Sequence, residues 1–275
     1  VGFGHKMTKD ESFEMLDFFV RRGGNFIDTA NVYCRWIPGL GNCGEKIIGE
    51  WLKSRGAYKD VVVATKGAHY SFDDESHAPR VNEKDIRSDL EDSLRTLGLD
   101  QIDFYWLHRD DPSKPVEEIV DILEKLRAEG KIRYYGLSNY QPDRLKKAYD
   151  YLESRGLYGP YGASNQWSLA TVNCGDNTNL DPTLALFSEE EYQWHRETKV
   201  PAIPFSSTAL GFFEKLKKAG VQVQGGDLVS EGNLEMIPAS TRAMYWNEEN
   251  LKTYERLLKL QGETGYSLQA LSAAF

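Results

Sequence analysis

Apolar residues recur along the chain at two alternating periods. Phe13, Leu16, Phe19 and Val20 fall at helical spacing behind a capping box formed by Thr8 and Glu11, and Gly23-Gly24 closes that helix. Residues 25–28 read as a short strand. A helix follows at 45–54, with Ile47, Ile48, Trp51 and Leu52 on one side. Residues 60–66 (DVVVATK) form a β-branched run of the kind that suits a strand buried on both faces. The alternation continues with helix 83–97, strand 102–108 (IDFYWLH), helix 116–127 ended by Glu129-Gly130, strand 132–137 and helix 142–152. Residues 162–166 make a weaker strand. Residues 188–195 make a helix opened by a second capping box, Ser188 with Glu191. Residues 200–204 (VPAIP) are extended, 250–261 form a long helix, and 267–275 begin another. Residues 1–4 are the stub of a further strand.

Strands alternating with helices at intervals of roughly 30 residues imply right-handed βαβ units and a parallel sheet. Seven strands, counting the stub, leave either a doubly wound open sheet or a barrel one strand short. Three long stretches lack regular pattern: 67–81, 167–182 and 206–240. Each follows the C-terminal end of a predicted strand, where a barrel builds its active site.

The 275 residues fit a single α/β barrel domain spanning 1–275, and a 40% apolar share fills its core. The net charge of −9 argues against nucleic acid or an anionic membrane as partner. No apolar run approaches a membrane span, and the polar start is not a signal peptide. Cys34, Cys43 and Cys174 are odd in number and form no CxxC, so neither a disulfide framework nor a zinc site is expected. A reducing cytoplasm fits this usage.

Gly39-Leu-Gly41-Asn-Cys-Gly44 matches GxGxxG but lacks the preceding strand and the following acidic residue that dinucleotide binding requires. It reads as a glycine-rich loop feeding a helix. A second constellation carries more chemistry. Asp28, Lys66 and His108 each end a predicted strand, and Tyr33 follows Asp28 by five residues. Taken singly, each has a structural explanation: an ion pair, a loop aromatic, a core histidine. In a parallel barrel their strand ends converge on one mouth.

These residues sit in segments that resemble the aldo-keto reductases over nearly the whole chain. Gly24-Asn-Phe-Ile-Asp28-Thr-Ala-Asn-Val-Tyr33 resembles the family's Asp–Tyr signature. Val63-Ala-Thr-Lys66 is similar to its lysine strand, and Ile102-Asp-Phe-Tyr-Trp-Leu-His108 to its histidine strand. Gly44-Glu45 through Ile48-Gly49 resembles the next helix start. The segment from Gly130 to Ser138-Asn139 and the pair Asn165-Gln166 resemble further signatures. The resemblance implies a (β/α)8 TIM barrel and a catalytic tetrad of Asp28, Tyr33, Lys66 and His108. It implies that Ser138, Asn139 and Gln166 hold a nicotinamide carboxamide, with Phe205 stacked on the ring where relatives carry Tyr or Trp. Ser206, Ser207, Thr208, Leu210 and Gly211 would line the pyrophosphate. Trp36, His69, Tyr70, Arg109 and Trp167, near the predicted mouth, are the substrate candidates; no metal is implied.

The implied function is NADP(H)-dependent reduction of an aldehyde or ketone to an alcohol, with NAD(H) as the other possible cofactor. Tyr33 would donate the proton, with a nearby Lys66 ammonium favouring the phenolate. His108 would orient the carbonyl oxygen. The alternative is an NADPH-binding regulatory subunit on the same fold, with slow or absent chemistry. The family pattern continues beyond Phe275 with an eighth strand and final helices that grip the adenine and 2′-phosphate, so the barrel is expected to be incomplete at both ends.

Overall fold

Capping chemistry sets the helix boundaries in the computed structural model, which describes residues 2–72, 76–173 and 181–275. α1 (Lys9–Arg21) starts at Thr8, whose side chain accepts from the Glu11 N–H while the Glu11 carboxylate accepts from the Thr8 N–H at 2.8 Å. α3 (Glu83–Leu97) starts at Asn82, whose side-chain oxygen accepts from the Asp85 N–H at 3.0 Å. α2 (Cys43–Arg55), α4 (Val116–Ala128) and α5 (Pro142–Ser154) alternate with the strands.

The strands are β1 (Phe26–Asp28), β2 (Val62–Gly67), β3 (Ile102–Leu107), β4 (Ile132–Ser138) and β5 (Ala163–Ser164). All pair parallel, in the order β1-β2-β3-β4-β5. A doubly wound sheet reverses its strand order at a switch point; this one does not, which removes the dinucleotide-fold alternative. The GxGxxG segment is consistent with that: Gly39 lies in a turn, Gly41 in irregular backbone after it and Gly44 in the first turn of α2.

The described residues fall into two compact units. The first comprises Val1–Ser164 and Ser188–Ile203 and contains the sheet and α6 (Glu189–Thr198). On one sheet face, Tyr105, Leu107, Tyr135 and Leu137 pack with Ile86, Leu90, Ile119 and Leu123 of the helices. On the other, Ala64, Phe104 and Trp106 form an inner cluster with Phe26, Val62, Tyr161 and Ile203. The register aligns Lys66, Trp106 and Gly136 across three strands. Trp106 is fully buried, and its ring occupies the space that a side chain at Gly136 would need.

The second unit comprises Asn165–Phe187 and Pro204–Phe275. Its core joins Phe212, Phe213 and Leu216 of α7 (Phe212–Ala219) to Tyr245 of α8 (Ala239–Tyr245) and Leu251, Tyr254 and Leu257 of α9 (Glu248–Thr264). Leu268 of α10 (Leu268–Ala273) completes it. Two antiparallel strands, β6 (Gln222–Gln224) and β7 (Asp227–Ser230), lie between α7 and α8.

Several elements differ from the sequence expectation. The N-terminal stub is no sheet strand: Phe3 bridges only to Met7, and Val1 lies outside the described residues. Residues 200–204 make a single bridge, Ala202 to Ala163, because Pro201 and Pro204 lack the N–H a ladder requires. The stretch 206–240 holds α7 and the β6–β7 hairpin, whose turn uses Gly225 and Gly226 at positive φ. Ser188 does cap α6, accepting from the Glu191 N–H at 3.2 Å, but the Glu191 carboxylate turns to His195 rather than back to the cap. The cysteine expectation is also corrected. Cys34 and Cys43 form a disulfide, because the turns of residues 31–40 double back and bring their Cα atoms to 5.9 Å. Cys174 lies outside the described residues.

A carboxyl is buried behind the sheet. Glu45, in the first turn of α2, is completely buried; it accepts from Thr65 Oγ1 at 2.5 Å and from Asn42 Nδ2 at 2.6 Å. Burial pushes the Glu45 carboxyl up to about 7, against hydrogen bonds from Thr65 and Ser93 that lower it.

Two predictions follow from this packing. Gly136→Ala places a Cβ 2.6 Å from Trp106 Cε3 and 2.7 Å from the Gly162 carbonyl oxygen. It is expected to cost about 1–3 kcal/mol in urea unfolding, as overpacking does; an unchanged midpoint would contradict the packing. The raised Glu45 value has a definite sign. Above the ordinary carboxyl value of 4.5 the unfolded chain has released this proton while the folded chain keeps it. Stability therefore falls as pH rises from about 4.5 towards 7, by on the order of 1–3 kcal/mol. In Glu45→Gln this fall is expected to flatten; urea titrations of both proteins across that window measure it.

Candidate active site

The C-terminal ends of β1, β2 and β3 bring Asp28, Lys66 and His108 to one edge of the sheet, and the turn after β1 adds Tyr33. The register explains how. Asp28 pairs with Ala64, two residues before Lys66, and Lys66 pairs with Trp106, two residues before His108. Alternation along parallel strands then sends Asp28, Lys66 and His108 to the same face.

Lys66 is 3% exposed, and its ammonium donates to Asp28 Oδ2 and, at 2.8 Å, to the Thr29 carbonyl. The Asp28 side chain is less enclosed, at 39% exposure. Burial alone would lower the Lys66 value; Asp28 and Tyr33 outweigh it and hold the amine above the usual lysine range, so it stays charged. The Lys66 Nζ lies 5.4 Å from the centre of the Tyr33 ring. The Tyr33 and His108 rings meet edge to face at 5.9 Å. The four predicted residues therefore form one cluster.

His108 is pushed well below the usual histidine range, first by burial, then by the charges of Arg109, His69 and Lys66. Its imidazole is neutral at physiological pH. The backbone around it is pinned: the His108 N–H donates to Gly67 O at 2.9 Å, and the His108 carbonyl accepts from Arg109 and from Asn139 Nδ2. Just beyond, Asp110 takes a two-pronged contact from Arg144 at 2.5 and 2.7 Å.

Ser138 and Asn139 end β4 in the same unit, both buried. Ser138 Oγ donates to Ser164 O at 2.8 Å, and Asn139 adopts φ 63°, a left-handed conformation that asparagine tolerates.

The substrate candidates divide. Trp36 meets Tyr33 at 6.2 Å, and His69 meets His108 at 4.7 Å. Tyr70 adjoins His69 at 4.1 Å. Arg109 is buried, its guanidinium over the Tyr70 ring and on the His108 carbonyl, so it braces the histidine loop. Phe72, which the sequence reading omitted, touches Trp36, His69 and Tyr70. Trp36 and Phe72 are each 45% exposed. A cavity of about 500 Å³ is bounded by Asn31, Arg35, Lys66, His69, Tyr70, Phe72 and others.

In the second unit, Gln166 is buried and donates to the Tyr245 hydroxyl at 3.0 Å. Phe205 bridges to Gln166 in parallel. Trp167 stacks on Phe187 at 4.3 Å and meets Phe275 edge-on. The segment from Ser206 to Gly211 is unusual. Ser206, Ala209, Leu210 and Gly211 all have positive φ, directly before α7. The Ala209 and Gly211 N–H groups close local turns onto the Ser206 and Thr208 carbonyls, both at 2.8 Å.

Comparison with known proteins identifies the family. The family model described as "Aldo/keto reductase family" matches residues 2–275. An aryl-alcohol dehydrogenase [NADP(+)] of Phanerodontia chrysosporium is 36% identical over 54% of this chain and 40% of its own. Norsolorinic acid reductase B of Dothistroma septosporum is 28% identical over 76% of this chain and 57% of its own. The chain thus spans less than two thirds of either relative. The holo form of an aldo-keto reductase from Bacillus halodurans superposes with a TM-score of 0.57 at 25% identity, covering 80% of this chain and 63% of that one. With the match running from residue 2 to the last residue, the chain belongs to the aldo/keto reductase family, and its sequential parallel strands are an incomplete (β/α)8 barrel of that family's kind.

Proposed function

We propose that this protein is an NADP(H)-dependent oxidoreductase that reduces an aryl aldehyde or ketone to the alcohol, with Tyr33 as proton donor. The observation that carries the reading is the cluster itself: a charged, buried Lys66 beside the Tyr33 phenol, with neutral His108 across the ring. The NADP preference and the aromatic substrate rest on the name of the aryl-alcohol dehydrogenase relative and, for the substrate, on the rings of Trp36, His69, Tyr70 and Phe72. Flat aromatic surfaces favour a flat aromatic guest through edge-on and offset contacts.

The residues present fit a nicotinamide dinucleotide. Ser138 and Asn139 are proposed to meet the carboxamide, and Gln166 and Phe205 keep the nicotinamide roles that the family likeness implies. Ser206, Ser207, Thr208, Leu210 and Gly211 would line the pyrophosphate. When bound, the cofactor supplies the hydride. Tyr33 donates its proton to the carbonyl oxygen, and the Lys66 ammonium stabilises the phenolate left behind. Asp28 keeps that ammonium in place and offsets its burial. The neutral His108 donates a hydrogen bond to the same oxygen and sets its direction.

Three outcomes are expected. Tyr33→Phe retains NADPH binding, read by fluorescence titration, and loses about 10²–10⁴-fold in kcat with an aryl aldehyde. Full turnover in that variant would end the assignment, and tight NADPH binding by the unaltered protein with no turnover on any carbonyl would favour a regulatory subunit. Benzaldehyde-type substrates are expected to exceed aliphatic aldehydes of equal size by about tenfold in kcat/KM, and Trp36→Ala to erase that preference. Because His108 is already neutral, kcat/KM should show no inflection near about 6.5, the ordinary histidine value, that disappears in His108→Gln; such an inflection would contradict its low value.

A further inference from the structure

A polar network behind the catalytic cluster reaches both of its central residues. Asn31 and Arg35 flank Tyr33 by two residues on either side. Both reach α3: Asn31 Nδ2 donates to Asp92 Oδ2 at 2.9 Å and Ser93 Oγ at 3.2 Å, and Arg35 pairs with Asp92 at 2.5 Å. Arg35 Nε also donates to the Asn31 carbonyl at 2.9 Å, closing the turn on itself. From α3 the network crosses to α2 through Asn42, whose Nδ2 donates to Asp92 Oδ2 at 3.3 Å and to the Glu45 carboxylate at 2.6 Å. It ends on β2, where Thr65 donates to Glu45 at 2.5 Å. Thr65 immediately precedes Lys66, and the Asn31 N–H donates to the Lys66 carbonyl at 2.9 Å.

We infer that Glu45 is a positioning residue: its buried carboxyl fixes Thr65, and through it the Lys66 backbone, relative to the turn that carries Tyr33. Glu45 joins α2 to β2 through Thr65 and, by way of Asn42, to Asp92 of α3. Lys66 Nζ donates to Asp28 and to the Thr29 carbonyl rather than to Glu45, so Glu45 acts through the backbone. Alternation along β2 sends Lys66 to the catalytic face and Thr65 to the helix face, so a brace on Thr65 leaves the site itself unobstructed. The immediately following backbone is tied separately, by the Asp89 carboxylate accepting from the Ala68 N–H at 2.9 Å. The groups facing Glu45 are Asp92 from α3, Arg35 from the turn and Tyr105 from β3, with Thr65 and Asn42 as hydrogen-bond donors. Gly44, beside it, would meet Thr29 Oγ1 at 3.3 Å and Tyr33 Cβ at 3.8 Å if it carried a Cβ, so the same helix turn abuts the tyrosine turn directly.

The inference rests on the proposed roles of Lys66 and Tyr33, and its test has one arm that needs no turnover. Thr65→Val removes the hydroxyl and keeps the shape; Glu45→Ala removes the brace; Glu45→Gln keeps its length. In the first arm, acetic anhydride labels the folded proteins, and Lys66 modification is read by peptide mass spectrometry against exposed Lys53. In the second, kcat and KM are measured with NADPH and an aryl aldehyde. Thr65→Val and Glu45→Ala are expected to raise Lys66 labelling several-fold and to lower kcat about tenfold, with KM within about twofold, because a misplaced ammonium weakens the transition state more than binding. Glu45→Gln is expected to recover most of kcat. Unchanged labelling, or unchanged kcat, in folded Thr65→Val overturns the inference even if Glu45→Ala fails to fold. A wild-type protein that turns over no carbonyl overturns the proposed function instead, and the labelling arm still decides whether Glu45 holds Lys66.

Discussion

Everything at the site depends on one buried charge. An ammonium at 3% exposure cannot remain charged unless fixed oxygens replace the water it has lost. Asp28 and the Thr29 carbonyl supply those oxygens, both from the end of β1 and the turn after it. Accommodating Lys66 therefore fixes where β1 must stop and how the next residues must turn. The turn delivers Tyr33 to the ammonium and Trp36 to Tyr33. A lysine one position earlier or later on β2 would face the helices, and the same burial would then oppose folding.

The surrounding structure reinforces the separation of charge states that the proposed proton transfer needs. Lys66 is held charged and His108 neutral within one cluster, each by named neighbours. Arg109, a substrate candidate in the sequence, donates to the His108 carbonyl and contributes to the low value of its imidazole. The inner face of the sheet is closed beneath the site by Trp106, which fits because positions 136 and 162 are glycine. Rigid packing below and polar bracing behind leave the aromatic rim, with Trp36 and Phe72 half exposed, as the adaptable part.

Much of this was legible in the sequence. The αβ alternation, the capping box at Thr8 and the strand ends at Asp28, Lys66 and His108 all rest on local periodicity, and the structure places them within a residue or two. What was not legible depended on distance. The Cys34–Cys43 disulfide needs the fold of the turns between them, and nine residues of spacing carry no hint of it. Phe72 was omitted because only the folded loop brings its ring onto His69. Glu45 entered only as part of a helix start, because nothing local announces that Thr65 will meet it from another strand. In the second unit, Gly225-Gly226 was an available hairpin signal, but short strands rich in glutamine and aspartate mask the usual alternation.

The most direct test of the account is a double-mutant cycle on the Asp28–Lys66 pair, read as kcat/KM for an aryl aldehyde at saturating NADPH. The account predicts strong coupling: Asp28→Asn and Lys66→Met are each severe, and the double variant is no worse than Lys66→Met alone, because Asp28 acts only through the ammonium. Independent, multiplying losses in the double variant would contradict it.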